Sequence, residues 1–217
     1  CGCACSFVFC FNWGFTYFDV VDHYLAVYLV LTLGIMQSFA IGWVYRQQYA
    51  LAAGGNASVW VLTFGYWIGL LLIGPIAQFA VPAYQLIAMV CFLPYMVVIA
   101  IISFKLSKLS FSQWATEVWN GGVSHLANEI SLLSGEGHWW QPAFRGWWCF
   151  SIKYFYPFGI YWLLMLSLKT DLTVSYGGYY WGWQALGFLL PIVGLFTFLV
   201  PAILCTHKVY ATESIVH

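Results

Sequence analysis

Residues 19–45 read DVVDHYLAVYLVLTLGIMQSFAIGWVY. After the opening acids and His23, no charged residue occurs until Arg46. A helix that crosses a bilayer needs about 20 consecutive, mostly apolar residues, and this run exceeds that. Similar runs cover residues 58–79, closed by Val81-Pro82, and 84–104, with Pro94 as an expected kink. Two more cover 147–168, with Pro157 inside, and 181–205, with Pro191 and Pro201. Prolines are tolerated within membrane helices when neighbouring groups satisfy the freed carbonyls. Residues 1–11 are apolar but too short, and Asn12-Trp13-Gly14 ends them, so they read as the end of a further helix. The expected fold is all-α: a polytopic transmembrane helical protein with about five full spans, one partial span and a cytoplasmic amphipathic helical segment.

Composition agrees. Of 217 residues, 63% are hydrophobic, 21% aromatic and only 6% charged, with zero net charge, against about 25% charged in ordinary soluble domains. So few charges cannot cover a water-facing surface, and disorder would need the opposite balance. Seven basic residues placed singly make no patch that could track phosphates, so nucleic acid is excluded as a partner. The lipid bilayer is the expected one.

Sidedness follows from the basic residues. If the end of the first run, near Arg46, is cytoplasmic, alternation puts Lys105, Lys108, Arg145, Lys153 and Lys208 on or near that side, and only Lys169 opposite. Such asymmetry is the positive-inside pattern of a multi-pass integral membrane protein. Asn56-Ala57-Ser58 matches a glycosylation sequon, but this topology makes it cytoplasmic. The chain is expected to form a single membrane domain over 1–217. Within it, 1–57 hold a helix end and the first full span, 58–108 a helical pair, 109–145 the cytoplasmic segment and 146–217 the last two spans and a short tail.

In that cytoplasmic segment Ser110 and Gln113 have capping-box spacing. Phe111, Trp114, Ala115 and Val118, then Leu126, Ile130 and Leu133, recur at helical spacing. One or two amphipathic helices on the membrane face are expected, broken at Gly121-Gly122. Trp139, Trp140, Trp147 and Trp148 flank the next span as an interfacial belt of anchors.

Chemistry-bearing groups are few. Cys1, Cys3, Cys5 and Cys10 cluster at the start, but no partner pair follows at zinc spacing, so no metal site is expected. No nucleophile elbow, metalloprotease helix, phosphate loop or dinucleotide fingerprint occurs, and an enzyme is not expected. Haem or quinone ligation by His23 would need a second intramembrane histidine, and His125, His138, His207 and His217 lie in the surface segment or tail. Asp19 and Asp22 stand at the mouth of an apolar helix. A carboxylate there either caps the helix N-terminus or faces a cavity, a partner or water.

Phe18-Asp19-Val20-Val21-Asp22-His23-Tyr24, with Gly34 and Gly42-Trp43-Val44-Tyr45, resembles the region from the ninth to the tenth helix of the neurotransmitter:sodium symporters, which have a LeuT-type fold. Gly146-Trp147-Trp148 with Lys153-Tyr154-Phe155-Tyr156-Pro157 resembles the start of their eleventh helix, and Tyr176-Gly177-Gly178-Tyr179 the approach to their twelfth. The resemblance implies the C-terminal part of a sodium-coupled symporter for amino-acid-like solutes, from the end of the ninth helix through the twelfth. Asp22 then corresponds to an extracellular gate aspartate whose partner arginine lies on a first helix that this chain lacks. Asp19 and His23 would be its neighbours, Asp19 as a helix cap. Lys153 and Pro157 carry over as structural positions. Gln37 stands where many relatives carry Glu. Residues 58–145 have no counterpart in the simplest members and read as an insertion. Sodium and substrate belong to helices outside this chain, so no cofactor is expected here. The partners would be the N-terminal helices of the same transporter. The alternative partners are other membrane subunits, if the chain is a structural or accessory subunit descended from such a transporter, without transport of its own.

Overall fold

The computed structural model describes residues 10–45, 47–79, 82–134 and 141–213. It is helical, with no strand among those residues. Helix α1 begins at Gly14 and runs to Val44. It is α-helical over Gly14–Tyr24 and Val30–Phe39 and wider, π-type, over Leu25–Leu29 and Ala40–Val44. There follow α2 (Gln47–Gly54), α3 (Asn56–Phe79) and α4 (Pro82–Ser107). Helix α5 comprises Phe111–Trp114 and a π-type turn Ala115–Trp119, and α6 spans Gly121–Ser134. Helix α7 joins Gln141–Phe150, a π-type turn Ser151–Phe155 and Tyr156–Thr173. A 3-10 turn at Tyr176–Gly178 leads to α8 (Trp181–Glu213).

Four helices among the described residues are long and apolar enough to cross a membrane: Gly14–Val44, Asn56–Phe79, Gln85–Ser107 and Arg145–Gly178. In α8 the described apolar stretch is Trp181–Thr197. The apolar side chains of α4 face outward: its mean hydropathy is 2.6, yet only 17% of that window is buried, and Leu86 and Leu93 are exposed. A water-soluble domain buries its most apolar helix. The expected partial span at 1–11 and the thiols of Cys1, Cys3 and Cys5 fall almost wholly outside the described residues.

The chain divides into two compact units, one of residues 1–33 with 170–217, the other of residues 34–169. In the larger unit α3 and α4 pair antiparallel. Gly65 lies against Ile99 and Gly69 against the Tyr95 ring, which lets the helices approach closely. Ser58 and Ser103 exchange hydrogen bonds at the other end, where the Ser58 hydroxyl donates to the Ser103 carbonyl at 2.8 Å. Trp114 Nε1 donates to the Ser103 hydroxyl at 3.2 Å. Trp43, Tyr66, Tyr154, Trp114 and Val118 are buried in one apolar cluster. Ser110 and Gln113 form the expected capping box, and α6 starts at Gly121 with φ of +43°, at the expected break. The Tyr66 hydroxyl donates to the Tyr154 carbonyl at 2.8 Å. That donor sits just before buried Pro157, whose ring has no N–H for the helical ladder.

In the smaller unit, the first half of α1 packs along α8. Tyr24, fully buried, lies on Gly187, and Leu29 lies 3.2 Å from the Cβ position of Gly194. Both residue numbers rise together, so the two segments run in the same direction.

Candidate functional site

Most carboxylates of the smaller unit gather where the beginning of α1, the end of α7 and the 3-10 turn meet. Asp171, whose side chain is 7% exposed, accepts two hydrogen bonds on the same oxygen. Tyr28 Oη donates to Oδ2 at 2.7 Å, and His23 Nε2 lies 3.0 Å from it. Asp19 accepts from the hydroxyls of Tyr176 at 3.1 Å and Tyr179 at 2.9 Å. The turn that delivers both tyrosines to one carboxylate needs two consecutive residues with positive φ, and Gly177 (+60°) and Gly178 (+68°) supply them. Tyr24 Oη donates to Gln184 Oε1, and Gln184 Nε2 donates to the Tyr176 carbonyl at 2.9 Å. The rings are interleaved as well: His23 stacks on Tyr176 at 3.7 Å between centres, and Tyr24 on Tyr28 at 5.5 Å. Outside the spanning segments, the Asp19 carboxylate that accepts its hydrogen bond pushes the Tyr179 phenol up from its ordinary value.

Asp22 differs from both acids. It is exposed and makes no hydrogen bond among the described residues. Asp19, expected as a helix cap, is not one. Helix α1 starts five residues earlier, its N-cap position is Trp13, and no side chain caps it. Because the helix has already begun, the N–H groups around Asp19 are spent within the helix, and its carboxylate turns to the two phenols instead.

The larger unit holds a second polar centre around Lys153, which is 3% exposed. Its ammonium donates to the Val118 carbonyl at 3.1 Å and sits 4.6 Å from the centre of the Trp43 ring. Gly42 packs on its backbone, and the Cβ position of Gly121 lies 3.1 Å from Nζ. A cavity with ≈ 10 Å³ open to a water centre borders it, lined also by Thr63 and Gly122, roughly the room one water needs. The Lys153 amine thereby satisfies one C-terminal carbonyl of α5.

The remaining expected positions scatter. Gln37 is exposed without a hydrogen bond among the described residues. Trp147 is 61% exposed, whereas Trp148 packs against buried Val123, Ala127 and Cys149. Trp139 and Trp140 lie outside the described residues.

The sequence reading missed Asp171, Gln184 and the tyrosines as site residues. The signal was present in the sequence, since the expected alternation of spans would put the segment after Lys169 on the same side as Asp19, Asp22 and His23.

In the comparisons with known proteins, no family model, no curated protein and no solved structure matches the chain.

Proposed function

We propose that this chain is the C-terminal scaffold and outer-gate portion of a sodium-coupled secondary transporter for amino-acid-like solutes, of the neurotransmitter:sodium symporter kind. It crosses the membrane five times, with the basic ends cytoplasmic and the Asp22 end outside. It carries no catalysis of its own, and sodium and substrate bind in helices beyond it. The insertion, residues 58–145, adds a helical pair and an amphipathic cytoplasmic segment.

One observation carries this reading. Of three acids at this end of the smaller unit, Asp19 and Asp171 are tied by tyrosine and histidine donors, and Asp22 alone is left exposed and unbonded among the described residues. No Lys or Arg lies among that unit's described side chains, so a cationic partner for Asp22 has to come from elsewhere. The span count draws support from direction. Five alternating spans make the first and last run the same way, as α1 and α8 do, and return the end of α7 to the mouth of α1, where Asp171 meets His23.

The test is sodium-driven uptake by the complete transporter reconstituted in vesicles. Asp22→Ala is expected to lose most uptake while inserting and melting like the parent. Unchanged sodium-dependent uptake would remove the gate assignment.

A further inference from the structure

We infer that Tyr176 and Tyr179 form a strap across the outer end of α1, which sets how its first turns are rotated and so where the Asp22 carboxylate stands. The strap grips one carboxylate twice. Tyr176 Oη donates to Asp19 Oδ1 at 3.1 Å, and Tyr179 Oη donates to Asp19 Oδ2 at 2.9 Å. The Tyr176 ring also lies on that of His23, 3.7 Å between centres with planes 12° apart. Asp19 and His23 stand one helical turn apart, on one face of α1. Asp22 shares that face and is exposed. Its two neighbours there, Asp19 and His23, are therefore both held by Tyr176.

The strap is itself anchored in buried structure. Gln184 Nε2 donates to the Tyr176 carbonyl at 2.9 Å, and Gln184 Oε1 accepts from Tyr24, which is fully buried against Gly187. The bend is made by Gly177 and Gly178 at positive φ. A Cβ on Gly177 would overlap the Tyr179 ring, so the tight turn and the grip on Asp19 depend on the same residue. Other contacts hold α1 without fixing its rotation. Tyr17 meets Trp183 edge-on at 6.5 Å, and Tyr24 lies on Gly187. Apolar contact is non-directional, so these keep α1 along α8 but tolerate a turn about its axis. A hydrogen bond weakens steeply as its angle bends, so Asp19 cannot rotate away without losing both phenols. His23 and Tyr28 bond Asp171 at the end of α7, and the strap adds a separate attachment to the turn beyond it. A carboxylate that has to meet one cation from outside its unit needs such a fixed position. That consequence rests on the gate reading; the strap itself does not.

The test is electron spin resonance of a nitroxide at position 22, attached through Asp22→Cys with the native cysteines replaced, in the full chain in lipid nanodiscs. Tyr176→Phe/Tyr179→Phe removes both hydroxyls and keeps both rings. It is expected to raise the mobile component of the spectrum about fivefold. Tyr179→Phe alone should raise it about twofold. A nitroxide attached through Thr197→Cys, at an exposed position of α8, should keep its spectrum in both variants. An unchanged spectrum at position 22 overturns the strap, and the single variant decides this if the double variant does not fold. An equal rise at position 197 overturns it too, because the loss would then be general loosening and not a local attachment. Uptake plays no part in this measurement, so an overturned strap leaves the gate reading to the Asp22→Ala experiment, and failure of that experiment leaves the strap standing.

Discussion

Tyrosine hydroxyls in the two units do different things. In the larger unit Tyr66, Tyr95 and Tyr154 donate to backbone carbonyls, those of Tyr154, Gly65 and Trp119. Lys153 does the same, to Val118. In the smaller unit Tyr28, Tyr176 and Tyr179 donate to carboxylates, and Tyr24 to an amide side chain. A backbone carbonyl is fixed by its helix and never titrates, so bonds to it define packing. A carboxylate can exchange partners or change charge, so bonds to it can be remade. The contrast is not absolute, since Tyr45 of the larger unit donates to Glu129 at 3.0 Å. It still separates a region whose hydroxyls mostly bond fixed backbone from one whose hydroxyls bond side chains.

The largest effects should come from steric changes, and they should strike both regions alike. A Cβ on Gly187 would overlap the Tyr24 ring, and one on Gly74 the Tyr161 ring. Gly187→Val and Gly74→Val are each expected to cost about 3 kcal/mol, read from unfolding in detergent. Gly159→Val, where a Cβ meets nothing within 4 Å, is the control and should be near neutral.

The comparison sharpens with single hydroxyl deletions. Tyr28→Phe removes a donor from a shielded carboxylate and should cost about 2 kcal/mol, whereas Tyr66→Phe removes one from a carbonyl and should cost about 1 kcal/mol. Equal losses, measured by the same unfolding assay, would erase the distinction between the regions. Ser103→Ala should also cost about 1 kcal/mol, because Trp114 Nε1 loses its acceptor.

The smallest effect is expected at Tyr179. The Asp19 carboxylate holds its phenol above the ordinary value. A raised value in the folded state means the contribution is present below the usual tyrosine range, about pH 10, and is lost as pH rises through the folded value. Tyr179→Phe should therefore lower the melting temperature slightly at neutral pH and flatten the alkaline limb. An alkaline limb as steep in the variant as in the parent would contradict this.

Much of the architecture can be read from the chain alone, because uncharged runs longer than a bilayer is thick admit few structures. The runs at 58–79 and 84–104 correspond to α3 and α4 within a few residues, and the capping box at Ser110 starts α5 where its chemistry requires. Local sequence failed at the start of α1. Asp19 looks like a boundary because acids favour helix N-termini, yet the helix passes through it from Gly14. The four π-type turns left no signature in composition. Asp171 was invisible for another reason. An acid after an apolar run reads as the solvated end of a span, and its burial depends on Tyr28 and His23, more than 140 residues away. Aromatics near a span end likewise read as interfacial anchors until their hydroxyls are seen to share an acceptor.

Side-specific labelling tests the central claim most directly. In a background whose native cysteines are replaced, Asp22→Cys and Lys108→Cys would each be exposed to a membrane-impermeant maleimide on intact cells and then on inverted vesicles. Position 22 should react from outside only and position 108 from inside only. Reaction of both from the same side, or no reaction at position 22 from either side, would contradict the orientation and the water-filled mouth on which the account depends.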